Sequence, residues 1–220
     1  MNDLKHMIEK AEKKWLNPLF DFCNYVFSAA TLSSHDHNHH YRVWSYCKEI
    51  LTAINAEKKI SYNLIEGCII ASFFHDTGLS NTMNEFHGTE SKKICQTYFL
   101  KNKLSLPQNF DDILWTIEKH DDKDYQSQHQ NNNSMLTILS TADNLDAFGK
   151  IGVIRYTEIY LLRGINITRL PGMVINNINK RFLNFKFNYE CYPDLYKKHQ
   201  KRYLITKNFF EELNRENNTN

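Results

Sequence analysis

Histidine and aspartate recur along these 220 residues at spacings that could gather them around a cation. The segment SHDHNHHYRVW, Ser34 to Trp44, places His35, His37, His39 and His40 close together. His75-Asp76 ends an apolar stretch, and Asp143 stands in STADNLDAFGKIG. Neutral imidazole with carboxylate suits Mn, Mg, Fe, Ni or Zn in mixed nitrogen and oxygen sites. Each segment alone has a simpler reading. A histidine-rich tract is often a solvated helix start, and an aspartate at a helix end can cap or pair locally, since it is costly to bury alone.

Helical spacing narrows the choice. His39 shares a face with Val43, Tyr46, Cys47, Ile50 and Ile54, the stripe that must point into a core. His35 lies on the same side, whereas His37 and His40 are expected to turn toward solvent. His75 follows Leu64, Cys68 and Ala71 on one face, and Asp143 follows Leu136 and Leu139. Asp146, one turn on, could orient a ligand or pair with Arg42 or Arg155. Two more histidines sit on apolar faces: His120 after Ile113 and Ile117, and His87 ahead of Ile94, Cys95 and Tyr98. A satisfied core or cap histidine is an equal alternative for both. Asp121, Asp122 and Asp124 in the polar stretch after His120 read as solvated, as do Lys92, Lys93 and Lys119.

These residues have to be positioned by helices. Only seven Gly and four Pro punctuate the chain, and apolar residues recur every three or four positions almost throughout. The pattern predicts an all-α chain with helices at about 3–29, 33–56, 62–74, 88–102, 107–120, 134–162 (broken near Gly149 and Gly152), 170–185 and 194–214. Ser33 or Ser34 would cap the second helix. In the last helix Leu195, Tyr203, Leu204, Phe209, Phe210 and Leu213 are available for packing. Residues 121–133 read as a loop. The chain is long enough to bury one full core, and a single domain spanning 1–220 is expected.

The remaining composition excludes several classes. Twenty-seven basic residues against 25 acidic ones, spread evenly, argue against wrapping a nucleic-acid polymer. Five cysteines without a CxxC pair suit reduced core thiols and a cytoplasmic location. The charged N-terminus lacks the apolar run of a signal peptide. The stretch Leu64 to Phe74 contains Glu66 and falls short of the roughly 20 apolar residues that cross a bilayer, so no membrane partner is expected.

His39, then His75-Asp76, then Asp143, each on its own helix, resembles the ligand set of the HD phosphohydrolase superfamily. S-H-D-x-x-H-x-x-R-V at Ser34–Val43 and A-D-x-L-D-A-x-G-x-I-G at Ala142–Gly152 are similar to a bacterial subgroup that includes deoxynucleoside triphosphate pyrophosphatases. The resemblance covers residues 33–157 and leaves 1–32 and 158–220 as flanking helices. It implies an HD-domain helical bundle in which His39, His75, Asp76 and Asp143 bind a divalent cation. Asp76 would also orient a water, and Arg42 or Arg155 would meet charge on the phosphoryl group. It implies a small phosphorylated substrate, most plausibly a nucleotide. His87 and His120 resemble the extra histidines that in some HD proteins bind a second metal or the substrate phosphate. If both bind metal, a di-iron HD-type oxygenase is the competing class; a non-catalytic nucleotide- or metal-sensing module is another. The flanking helices could lid a pocket or pair subunits as a homodimer.

Overall fold

The computed structural model describes residues 2–28, 36–81, 87–122 and 133–218, and their regular structure is helical throughout. The chain divides into two compact units between Ala142 and Asp143.

The first unit contains α1 (Asn2–Val26), α2 (His37–Asn55), α3 (Tyr62–Phe74), a 3₁₀ turn (Thr77–Ser80), α4 (His87–Lys101), α5 (Phe110–Lys119) and most of α6 (Met135–Asp146). α3 is its centre. Its residues Ile65 to Phe74 are all buried, and α1, α2, α4 and α5 pack around it. Burying each large side chain of this helix, such as Phe73 or Phe74, contributes about 1.5–3 kcal/mol. Glu66, inside that apolar helix, is tied to α1 by Lys14 Nζ and Trp15 Nε1, each donating at 2.9 Å. A second cross-tie holds α1 to α2: Trp44 Nε1 and Lys48 Nζ donate to Glu12 at 2.9 and 2.7 Å. Polar groups thus set the register of helices that the hydrophobic effect alone would let slide.

The second unit contains α7 (Lys150–Leu162), α8 (Leu170–Tyr189) and α9 (Pro193–Asn217). Its interior is aromatic: Phe182 stacks on Tyr203 with ring centroids 4.0 Å apart, and Phe148, Phe185, Tyr189 and Phe210 are fully buried. The expected break in 134–162 falls at Ala147–Gly149. Gly149 takes φ 85°, and its N–H faces the Arg202 carbonyl at 2.9 Å and the Thr206 hydroxyl at 2.8 Å. A residue with a side chain rarely adopts that φ.

α3 has the expected ends, and the other helix ends differ from expectation by at most four residues. The expected Ser33 or Ser34 cap and His35 lie outside the described residues, and Asp36 is the residue that caps α2. In α9, Leu195, Tyr203 and Phe210 are buried as expected, while Leu204 and Phe209 are exposed. All five cysteines are free thiols, and only Cys191 is exposed. No described helix is long and apolar enough to cross a membrane.

Candidate metal centre

The centre is assembled by helix ends. Asp36 Oδ1 accepts from the His39 backbone N–H at 3.0 Å, fixing the first turn of α2 and holding His39 there. His39 is fully buried. At the end of α3, His75 takes the C-cap position and Asp76 follows with φ −105° and ψ 6°. That sparsely populated backbone region is one where site residues are often found. The Asp76 side chain makes no capping bond to the 3₁₀ turn it precedes, so local capping does not account for its carboxylate.

The Asp76 carboxylate instead lies between two pairs of imidazoles. Its Oδ2 is 3.3 Å from His39 Nε2 and 3.4 Å from His75 Nε2. Its Oδ1 is 3.0 Å from His120 Nε2 and 3.4 Å from His87 Nε2. Within each pair the nitrogens nearly touch: His39 and His75 Nε2 are 3.2 Å apart, and His87 and His120 Nε2 are 3.4 Å apart. Asp76 and all four histidines are buried.

Backbone carbonyls set the tautomers on two of these rings. His75 Nδ1 is 2.9 Å from the Ser72 carbonyl and His120 Nδ1 is 2.8 Å from the Ile117 carbonyl. A carbonyl only accepts, so Nδ1 carries the proton and Nε2 turns inward. Inward nitrogens packed this closely around a carboxylate could hold a metal ion, and two such clusters share Asp76, one with His39 and His75 and one with His87 and His120. Carbonyl-anchored imidazole with a shared carboxylate is a donor set that fits a divalent transition metal.

Two glycines permit this convergence. A Cβ on Gly78 would lie 2.2 Å from the His87 carbonyl oxygen and 2.9 Å from Ser91 N. A Cβ on Gly88 would lie 2.5 Å from the Glu118 carbonyl oxygen. The 3₁₀ turn, the start of α4 and the end of α5 therefore meet backbone to backbone, which brings His87 and His120 to Asp76. Ser91 Oγ accepts from the Gly78 N–H at 2.8 Å and secures the approach.

Charge follows the same geometry. Burial favours the neutral acid at Asp76, yet the charge of His75 and hydrogen bonds from His120, His39 and His87 hold its carboxyl well below the usual range. Burial opposes the imidazolium of His120, but the hydrogen bond and charge of Asp76, with Asp121 adding to them, push it up to about 9. A folded-state value above the unfolded value near 6.5 stabilises the fold fully below that pH and loses the contribution as pH rises through the folded value. The metal-free protein is therefore expected to lose thermal stability from about pH 6.5 to about 9. His120→Gln should flatten that slope, and an unchanged slope in scanning calorimetry of the variant would reject the assignment.

Other expected residues fall as follows. His37 is half-buried against Phe20. His40, expected in solvent, is fully buried, because α1 ends over this face and Phe27 packs on its ring. His40 Nδ1 lies 3.1 Å from the same Ser72 carbonyl that anchors His75. Burial, then the charges of His75 and His39, hold its imidazolium well below the usual range. Arg42 is half-buried, and its charge helps to lower the Asp36 carboxyl. Lys92, expected in solvent, is half-buried and pairs with Glu118 at 2.9 Å. Asp121, expected in solvent, is half-buried with Oδ2 3.9 Å from His87 Nε2. Asp124 lies outside the described residues.

In the second unit Asp146 is fully buried and accepts from Arg155 Nη1 at 2.6 Å, which is one of the two alternatives expected for it. Asp143 accepts from Arg181 Nη1 at 3.2 Å, and Arg155 Nη2 is 4.0 Å from its other oxygen. Arg181 escaped sequence reading because it lies on α8, outside the motif-bearing segment. Ser140, whose Oγ donates to the His120 carbonyl at 2.8 Å, was also missed. Its signal was its position one turn before Asp143.

No protein-family model matches the chain, and no match is found among curated proteins or solved structures, so the chemistry of this centre has to be read from the residues themselves.

Proposed function

We propose that the chain is a metal-dependent phosphohydrolase of the HD type, acting on a phosphate ester or anhydride of a nucleotide. The observation that carries this reading is the Asp76 carboxylate set between His39 and His75 on one oxygen and His87 and His120 on the other. The resemblance of Ser34–Val43 and Ala142–Gly152 to HD hydrolases supplies the reaction class.

His39, His75 and Asp76 would hold the first cation, with Asp143 as the fourth ligand. Asp143 is the fourth ligand that the resemblance implies. His87 and His120 would hold a second ion through the other oxygen of Asp76. A divalent cation lowers the pKa of bound water from about 15.7 toward 7 and polarises a phosphoryl oxygen. Asp76 would orient that water. Arg42, three residues after His39 on α2, would meet the growing charge on the phosphoryl oxygens. The Ser72 and Ile117 carbonyls keep His75 and His120 in the tautomer that presents Nε2 inward.

One carboxylate shared by two histidine pairs also favours a second reading, a di-iron oxygenase. Phosphate release from a panel of nucleotides in added Mn²⁺ or Mg²⁺ separates the two. The proposal predicts metal-dependent turnover of at least one compound. No turnover on any phosphorylated compound, with iron bound at two per chain, would favour oxygen chemistry instead.

A further inference from the structure

In the second unit an aspartate of α6 is tied to a helix that carries no motif. Arg181, on α8, donates from Nη1 to Asp143 Oδ2 at 3.2 Å and to Asn144 Oδ1 at 2.8 Å. Its Nε donates to Asn177 Oδ1, one turn earlier on the same helix, at 2.9 Å. The same Asn177 oxygen accepts from the Tyr156 hydroxyl on α7 at 2.7 Å, and Tyr156 is buried. The guanidinium is thus braced from behind before it meets the carboxylate. α6, α7 and α8 each supply a partner, and all of these residues belong to the second unit.

We infer that Arg181 is a positioning residue of the metal centre, holding Asp143 by Oδ2 so that its carboxylate meets the first ion in a single orientation. This inference rests on the reading of Asp143 as a metal ligand above. A carboxylate ligand can give one oxygen to an ion while the other accepts from a donor, and such supporting donors are a regular part of metal sites. Arg181 stands in that place at Asp143. Arg155 is not its equivalent, because Nη1 of Arg155 is bonded to Asp146 at 2.6 Å and its Nη2 comes only to 4.0 Å from Asp143 Oδ1.

Two features separate this pair from an ordinary surface salt bridge, which contributes little. The Arg181 and Asp143 side chains are 21% and 17% exposed, so most of the water that would screen them is excluded. Arginine's rigid fork also lets one group bond Asn177 through Nε and Asp143 through Nη1, which the single ammonium of lysine cannot copy. The opposite role has a definite sign. A guanidinium 3.2 Å from a ligand oxygen repels an arriving cation, so an Arg181 that merely occupied Asp143 would weaken metal binding, and its removal would tighten it. The bracing favours positioning, since a group that had to swing aside for an ion would not be held at Nε by an amide that is itself held by Tyr156. The flanking helix α8 thereby gains a part in the centre.

The test is calorimetric titration of the metal-free 220-residue chain with Mn²⁺, comparing wild type, Asp143→Asn, Arg181→Gln, Arg181→Lys and the double variant Asp143→Asn with Arg181→Gln. Asp143→Asn should weaken one binding event. Arg181→Gln should weaken that same event by ~10-fold or more and leave the other unchanged. Arg181→Lys keeps the charge without the fork; it should recover part of the loss, and it reports independently if the Gln variant folds poorly. In the double variant the Arg181 change should add nothing, because the two side chains act through one contact. Wild-type or tighter Mn²⁺ binding in Arg181→Gln, beside a weakened event in Asp143→Asn, would overturn Arg181 as a positioning residue and leave the metal reading standing. Wild-type binding in Asp143→Asn would overturn Asp143 as a ligand and this inference with it.

Discussion

Asp76→Asn is expected to lose metal binding at both clusters at once, with metal-dependent turnover falling by more than about 100-fold, while the chain still unfolds cooperatively. Partners that merely support a ligand cost about 10–100-fold in metal affinity or activity, and Asp76 is the group that both clusters share. The amide keeps the shape of the side chain but presents one oxygen and no charge. His39 and His75 would then face a weak ligand or none, and so would His87 and His120. Folding should survive because the surrounding core is apolar and independent of the carboxylate: Ile65, Cys68, Ile69 and Phe73 are fully buried on α3 itself. The same substitution should lower the His120 pKa, since the largest upward influence on that ring is its hydrogen bond to Asp76. Metal titration and thermal unfolding of one preparation check all three points. A variant that binds metal and turns over as wild type does would refute the assignment of Asp76.

Gly78→Ala is expected to separate the two clusters. The added Cβ would stand 2.2 Å from the His87 carbonyl oxygen, 2.9 Å from Ser91 N and 3.0 Å from His87 C, all of them backbone atoms. No rotamer change relieves such a contact, so α4 must move away from the 3₁₀ turn and carry His87 with it. Overpacking of this kind costs about 1–3 kcal/mol, and each kcal/mol lowers Tm by about 2–4 °C in a chain of this size. The His39 and His75 side should keep its metal; the His87 and His120 side should lose it. Gly172→Ala is the control, because a Cβ there meets nothing within 4 Å, and an alanine inside a helix is neutral or mildly stabilising. Full occupancy of both clusters with an unchanged Tm in Gly78→Ala would show that the backbone contact does not position His87.

The parts of this centre that were legible in the sequence are those carried by local geometry. His39 was identified from its helical face, and His75 from the apolar residues one and two turns before it. The division of the 134–162 stretch was marked by its glycines. What escaped was set by tertiary approach. His40 reads as exposed on an isolated helix, but Phe27, just after α1, and His75 at the end of α3 pack on its ring. Asp121 reads as solvated among polar neighbours until α4 brings His87 within 3.9 Å. The sharing of Asp76 between two histidine pairs depends on contacts at Gly78 and Gly88 that spacing does not encode. Arg181 stands 38 positions after the aspartate it meets, on a helix that carries no motif. Sequence could nominate ligands, in short, but their distribution between two oxygens of one carboxylate required the packed helices.

The metal content of the gently purified 220-residue chain, measured by elemental analysis beside the Asp76→Asn variant, addresses the central claim most directly. Two divalent ions per wild-type chain and none in the variant is the predicted result. A wild-type chain that is free of metal and takes up none on titration would contradict it.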